Sequence, residues 1–140
     1  MNAANQHVID LQTVHAWCLD ISQSIKQSDL EEHMYLVSKR IKVYGMPSKG
    51  VIDYTEWRSR RKFEFKNESL IALNYQNIKL IGSTAKRLRF TASETMLGKD
   101  GKMVVLDKNF TLELEKDGIW RVVEENVNNW RVKKLNLESY

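Results

Sequence analysis

The second half of this 140-residue chain constrains its fold most strongly, because nearly every segment of residues 70–132 has a strand pattern. Two of the turns between these segments carry an Asp-Gly pair, at 100–101 and 117–118. Asp-Gly favours a tight β-hairpin, since glycine readily adopts the positive φ that such a turn requires. The pattern predicts an antiparallel meander of four strands, over 70–81, 86–97, 104–115 and 119–132.

The first half predicts three amphipathic helices and one short strand. Residues 5–26 place apolar side chains on one stripe at three- and four-residue spacing. Ser28, with Glu31 three residues later, predicts the start of a second helix, and Asp53 predicts the start of a third. The strand, residues 40–44, lies between them. Helices followed by a meander predict an α+β domain, with three N-terminal helices packed on a curved antiparallel sheet.

Composition fits a single globular domain over residues 1–140. The net charge of +4 comes from interspersed charges, and the basic residues at 58–62 scatter around a helix, so nucleic-acid binding is not expected. A lone cysteine, Cys18, allows no internal disulfide and favours a reducing cytoplasm. Neither a signal-peptide pattern nor the roughly 18 consecutive apolar residues of a membrane span is visible. We therefore expect a cytoplasmic protein without membrane contact.

Three segments carry a family resemblance. Ser28-Asp29-Leu30 opens the second helix, the run Arg-Ile-Lys-Val-Tyr-Gly at 40–45 follows as the strand, and Asp-Gly-Ile-Trp-Arg-Val at 117–122 begins the last strand. Together with the element order, these resemble the nuclear transport factor 2-like superfamily, which includes SnoaL-like cyclases and ketosteroid isomerase. The resemblance implies a cone-shaped half-barrel with a pocket between the helices and the concave sheet face. It implies little about chemistry, because this fold hosts enzymes, ligand binders and interaction domains.

The catalytic residues of two of these enzymes have no counterpart here. Ketosteroid isomerase places its aspartate just after the valine of the short first strand, ahead of a proline, whereas residues 43–47 contain no carboxylate. The His, Asp and Tyr set of the scytalone-dehydratase type is also missing, because His7, His15 and His33 all lie on the first two helices. No residues stand at metal-ligand spacing, so we expect no metal and no cofactor.

Arg61 has the most unusual position in the chain. It lies four residues from both Trp57 and Phe65, on the face that also carries Tyr54, so a cation stands in the middle of an aromatic stripe. An unpaired buried charge is costly. The guanidinium therefore either stacks on Trp57 and pairs with a neighbouring carboxylate, or anchors an anionic ligand in the bidentate manner that arginine favours.

Glu94 is the candidate acid or base. It is in phase with the apolar residues of its strand, so it is expected to point into the cone. A carboxyl in an apolar cavity has a raised pKa and can transfer protons near neutral pH. Alternatively Glu94 pairs with Arg61 or with Lys108, which also faces inward on its own strand.

These residues predict a small-molecule pocket for an apolar ligand with an anionic group, without deciding whether a reaction is catalysed. The expected lining is Arg61 with five aromatic residues: Trp57, Tyr54, Trp17, Phe90 and Phe110. Such a pocket needs about 300 Å³ or more. Two alternatives stay open. One is a non-catalytic dimerisation or protein-interaction module whose cone is filled by its own side chains, and the other is a SnoaL-like isomerase, cyclase or dehydratase.

The outer face of the predicted sheet suggests a homodimer. One strand presents basic and hydroxyl residues there, including Arg87 and Arg89, and the next presents acidic and polar ones, including Asp107 and Glu113. A two-fold axis would bring each basic strand onto an acidic strand of the second copy. We therefore expect pairing through the convex sheet surface.

Overall fold

A computed structural model describes residues 3–47 and 50–134 of the protein. In chain order the elements are α1 (Ala3–Lys26), α2 (Leu30–Tyr35), β1 (Val37–Tyr44), α3 (Tyr54–Lys66), β2 (Ala72–Thr84), β3 (Arg87–Leu97), β4 (Lys102–Leu114) and β5 (Trp120–Lys134). Their order and type confirm the predicted α+β architecture.

All five strands belong to one sheet, in the order β1-β5-β4-β3-β2. The meander β2 to β5 is antiparallel, as predicted, but β1 pairs in parallel with β5, so the sheet is mixed. Parallel neighbours need a long crossover, which α3 and the intervening strands supply here. Since β1 and β2 are the two edges and do not pair, the curved sheet stays open.

The helix starts follow capping chemistry, with one correction. Asp53 caps α3 by accepting a hydrogen bond from the Glu56 backbone N–H at 3.0 Å, as predicted. For α2 the cap is Asp29, which accepts from the Glu32 N–H at 3.0 Å, and the prediction of Ser28 was wrong. Ser28 instead has a φ of 51° in the turn after α1. Serine and aspartate cap helices about equally well, so the sequence did not distinguish them.

Both predicted Asp-Gly turns are present. Gly101 and Gly118 have φ values of 85° and 82°, which favour glycine, and each preceding aspartate accepts a hydrogen bond from the backbone N–H two residues later. These turns fix the register of β3 through β5.

The last strand is irregular where its phase could not be predicted. β5 carries one extra residue at two points, Val123 and Asn128, where its pairing with β4 shifts register. Such bulges rotate the side chains that follow. As a result Glu125 lies opposite Phe110 and is buried with it.

The hydrophobic core lies between the helices and the concave face of the sheet. The apolar stripe of α1 packs there against inward-facing residues of β3 and β4; the largest contributors are Trp17, Ile21, Ile25, Leu88, Phe90, Phe110 and Leu112. Of the described helices, none combines the length and apolar character that a membrane crossing requires.

Candidate functional site

A network of charged side chains lies inside the cone. Lys108 of β4 is buried and donates from Nζ to Glu94 Oε1 and to Glu125 Oε1, both at 2.8 Å. The Tyr75 hydroxyl on β2 also bonds Glu94. Strand alternation places Glu94 and Lys108 on the concave face, and the β5 bulge adds Glu125. One ammonium group is therefore shared by two buried carboxylates.

Arg61 completes the network from the helix side. Its guanidinium carbon lies 4.4 Å from the centre of the Trp57 ring, and Nη1 donates to Glu64 Oε1 at 2.8 Å. The structure thus shows the stacked and ion-paired arrangement of Arg61. Its carboxylate partner is Glu64, three residues along the same helix, and Glu94 is held by Lys108 instead.

His33 of α2 holds the other side of Arg61. The Ser24 hydroxyl donates to the Ile21 carbonyl at 2.6 Å, so its oxygen can only accept from His33 Nδ1, at 3.1 Å. His33 Nε2 is then the unprotonated nitrogen, and it accepts from Arg61 Nε at 3.2 Å. The imidazole is therefore neutral and fixed in one tautomer.

Burial and charge pairing set the pKa values in the cone. Burial by itself would raise the pKa of Glu94, but Lys108 and Arg61 outweigh it, and the pKa lies below its usual value. Burial would lower the pKa of Lys108, but Glu125 and Glu94 hold it above its usual value. Both groups are charged at neutral pH, so the raised pKa expected for Glu94 is not found. Burial, together with Arg61 and Lys108, lowers the pKa of His33.

Two other titratable groups in the cone are kept neutral. Burial raises the pKa of the Cys18 thiol, and the nearby Glu94 carboxylate adds to this effect. The same two causes raise the pKa of Tyr75. Neither side chain is a nucleophile or base at neutral pH.

Aromatic rings fill the space beside these charges. Phe90 and Phe110 are stacked with their centres 4.7 Å apart, and Trp17 packs against both at 6.2 and 6.1 Å. The remaining cavity beside Arg61 measures about 10 Å³. That is about the smallest cavity that can hold one water molecule. The cone lacks the large pocket that the sequence suggested.

The predicted site residues fall into three groups. Arg61, Trp57, Trp17 and Glu94 line the small cavity, whereas Phe90 and Phe110 pack beside it. Tyr54, at the start of α3, instead lines an outer groove of about 570 Å³.

The outer groove has charged walls, but these charges bond each other. Arg40 pairs with Glu113 and Glu115, and Arg121 pairs with Glu115 and Asp117. These guanidinium groups already have acceptors within the chain, so the groove offers a ligand anion little gain.

A second groove, of about 540 Å³, differs in this respect. It runs between α3, the end of β3 and the start of β4. Its lining residues are Glu56, Ser59, Arg60, Phe63, Glu64, Ser69, Met96, Lys102 and Val104. Within the described residues, Arg60 Nη1 is the one buried side-chain nitrogen or oxygen without a hydrogen-bond partner. Phe63 is 65% exposed. We call this surface the Arg60 groove.

Sequence reasoning missed Glu125, the role of His33 and the Arg60 groove. The β5 bulge hid the phase of Glu125, and Ser24, which orients His33, lies on a different helix. No cluster of three or more metal-ligating side chains occurs among the described residues.

The architecture matches solved structures over most of the chain. A proposed scytalone dehydratase from Novosphingobium aromaticivorans aligns with a TM-score of 0.70 at 11% identity, covering 96% of this chain and 93% of that one. A nuclear transport factor 2-like protein of unknown function from Shewanella oneidensis aligns with a TM-score of 0.68 at 10% identity, covering 84% of this chain and 97% of that one. The chain has the nuclear transport factor 2-like fold.

A third structure with this fold is that of a proposed ketosteroid isomerase from Shewanella frigidimarina. It aligns with a TM-score of 0.62 at 11% identity, covering 83% of this chain and 94% of that one. No protein-family model and no curated protein matches the sequence. At these identities the likeness establishes the fold, and function must be argued from the residues of this chain.

Proposed function

We propose that this protein binds a small molecule that has an apolar body and one anionic group, and that the ligand lies in the Arg60 groove. The unpartnered Arg60 Nη1 is the observation that carries this proposal. A buried donor without an acceptor costs about 1–3 kcal/mol, and a ligand carboxylate would supply the acceptor. Phe63, Met96 and Val104 would cover the apolar body. The volume of about 540 Å³ suits a small ligand.

Glu64, an acidic residue of the groove lining, already accepts a hydrogen bond from Arg61 at 2.8 Å. Lys102, at the start of β4, adds a second cation to the lining. An anion is the favoured acceptor, because a charge-assisted hydrogen bond to the Arg60 guanidinium is about twice as strong as one to a neutral oxygen.

The test is a titration with decanoate, with decanol as the uncharged control of equal chain length. Chemical-shift changes in the backbone spectrum locate the ligand, and calorimetry gives its affinity. We expect decanoate to shift the signals around Phe63 and Val104, and decanol to bind about tenfold or more weakly, since a charged hydrogen bond contributes about 1.5–3 kcal/mol.

Matched variants on α3 sharpen this test. Arg60→Gln should weaken the affinity for decanoate by about tenfold. Arg58→Gln, which removes an exposed partner of Glu31, should leave that affinity unchanged. Equal affinity for decanoate and decanol, or shifts centred on Tyr75 and Glu94, would contradict the proposal. The latter result would place the ligand in the cone, as a SnoaL-like isomerase, cyclase or dehydratase requires.

A second candidate is a non-catalytic interaction module, and the filled cone favours it. A module of this kind needs no internal space, and about 10 Å³ beside Arg61 admits no substrate. It predicts that decanoate causes no saturable change in any part of the spectrum.

The homodimer through the convex sheet face is a further proposal. Its charged residues already bond within one chain: Asp107 accepts from Ser93 at 2.7 Å and from Arg131 at 3.0 Å, and Arg87 lies 3.7 Å from Glu113. These contacts weaken the case for pairing between copies. Light scattering at tens of micromolar tests it, and a monomer mass would end it.

A further inference from the structure

Among the described residues, the second half of β5 has no strand paired to one of its two edges. On one side β5 pairs with β4 as far as Lys134, but on the other side its described pairing with β1 ends at Asn126. Gly45 turns the chain away at that point, with a φ of 84°, and a Cβ atom there would lie 2.3 Å from the Val127 carbonyl oxygen. Residues 128–134 are all exposed. An exposed edge presents backbone groups that can pair with another strand.

This edge is apolar on one face of the sheet. Trp130 and Val132 lie opposite Leu106 and Val104, so they share the concave side, and they are 47% and 50% exposed. Large apolar side chains that stay exposed next to an unpaired edge are typical of an interaction surface.

The same segment is basic. Lys133 and Lys134 follow one another at its end, and Lys134 lies opposite Lys102 of β4. Within the described part of the chain, none of these three lysines has a carboxylate within ion-pair distance, whereas Arg131 is held by Asp107 at 3.0 Å. A positive edge repels a second copy of itself and attracts an acidic segment.

We propose that the edge at residues 128–134 adds a β-strand from an acidic segment of another protein. Main-chain hydrogen bonds would supply affinity, and alternate side chains would supply specificity. Apolar residues of the partner would contact Trp130 and Val132 on the concave side. Acidic residues between them would face Arg131 and Lys133 on the convex side. The partner is thus an extended segment in which apolar and acidic residues alternate.

The test uses a labelled octapeptide that alternates valine and glutamate, measured by fluorescence anisotropy with the full chain. A valine–lysine peptide controls for charge, and a valine–glutamate peptide methylated at alternate backbone nitrogens controls for strand pairing. We expect binding of the first peptide only, and loss of binding as salt rises. Equal binding of the two charge types, or of the methylated peptide, would overturn the proposal.

Two charge reversals make a matched pair. Lys133→Glu should weaken the affinity for the acidic peptide by about tenfold. Lys116→Glu, in the distant turn before β5, should change that affinity by less than about twofold. Arg60→Gln should have no effect, which separates this edge from the Arg60 groove. Equal effects of the two reversals would show attraction to overall charge and contradict a site at the edge.

Hydrogen exchange of the free protein tests whether the edge is open. We expect the outward amides among residues 128–134 to exchange rapidly and to become protected when the acidic peptide binds. Protection in the free protein would mean that the edge is already covered, and it would overturn the proposal.

Discussion

The interior of the cone and the Arg60 groove each contain an arginine of α3, but only the arginine in the cone has its hydrogen-bond partners within the chain. Arg61 stacks on Trp57 and bonds both Glu64 and His33. Arg60, the preceding residue of α3, has a buried Nη1 that bonds nothing in the described structure. Successive helix residues point about 100° apart, so neighbours on the chain enter different environments.

This contrast separates a structural charge from a binding charge. In the cone, Lys108 pairs with Glu94 and Glu125, and Arg61 pairs with Glu64, so each of the two cations already has an anionic partner. In the groove, Arg60 Nη1 has no acceptor within the described residues, so a ligand anion could bond it without displacing an internal partner. Burial of an arginine is therefore a weaker indicator of ligand binding than the absence of its partner.

The largest expected effect is loss of the ammonium group. Lys108→Met should lower the free energy of unfolding by about 3–5 kcal/mol, because Glu94 and Glu125 are left buried without a counter-charge. The stranded carboxyls then have raised pKa values, so the folded variant binds more protons than its unfolded chain and its deficit grows as pH rises. Denaturant unfolding at pH 5 and pH 8 measures both effects.

A triple variant is the control for this loss. Adding Glu94→Gln and Glu125→Gln to Lys108→Met removes the stranded charges and should restore part of the stability and abolish its extra pH dependence. If Lys108→Met alone is as stable as the parent at pH 8, the cone charges are not a structural network, and the contrast with the groove fails.

A smaller effect is expected for Arg61→Leu. The change leaves His33 Nε2 without a donor, at a cost of about 1–3 kcal/mol, while Glu64 is partly exposed and can be hydrated. Since Glu94 keeps Lys108, a double-mutant cycle of Arg61→Leu with Glu94→Gln should show weaker coupling than one of Lys108→Met with Glu94→Gln. Stronger coupling in the Arg61 cycle would make Arg61 the main partner of Glu94.

Stability should also fall below about pH 6.5, where His33 in the unfolded chain takes up a proton. Burial and the nearby Arg61 and Lys108 lower the pKa of His33 in the folded state, so the unfolded chain binds more protons as pH falls. Unfolding midpoints between pH 7.5 and 5.5 measure this slope. His33→Gln, which keeps one donor and one acceptor, should flatten it, whereas His15→Gln on the exposed side of α1 should not.

The sequence correctly predicted residue positions where a strand or helix keeps a regular periodicity. Strand alternation correctly placed Glu94 and Lys108 together on the concave face, and helical spacing placed Arg61 on Trp57. It failed where periodicity breaks: two bulges rotate β5, so Glu125 was not recognised as the second carboxylate. The free volume inside the cone could not be predicted from the sequence either, because it depends on how Trp17 and Phe110 pack together from elements distant in the chain.

The smallest expected effect is the most direct test of the contrast. Arg60→Leu is the same substitution one residue earlier in α3, and it removes a guanidinium whose Nη1 has no partner in the described structure. Because Nη1 has no acceptor to lose, the unfolding free energy should fall by no more than about 0.5 kcal/mol, and it should rise to the extent that the unmet donor is costly. Denaturant unfolding of Arg60→Leu beside Arg61→Leu measures the difference. Equal losses would mean that Arg60 has an intramolecular partner in solution, and the groove would then lack the unmet donor on which anion binding depends.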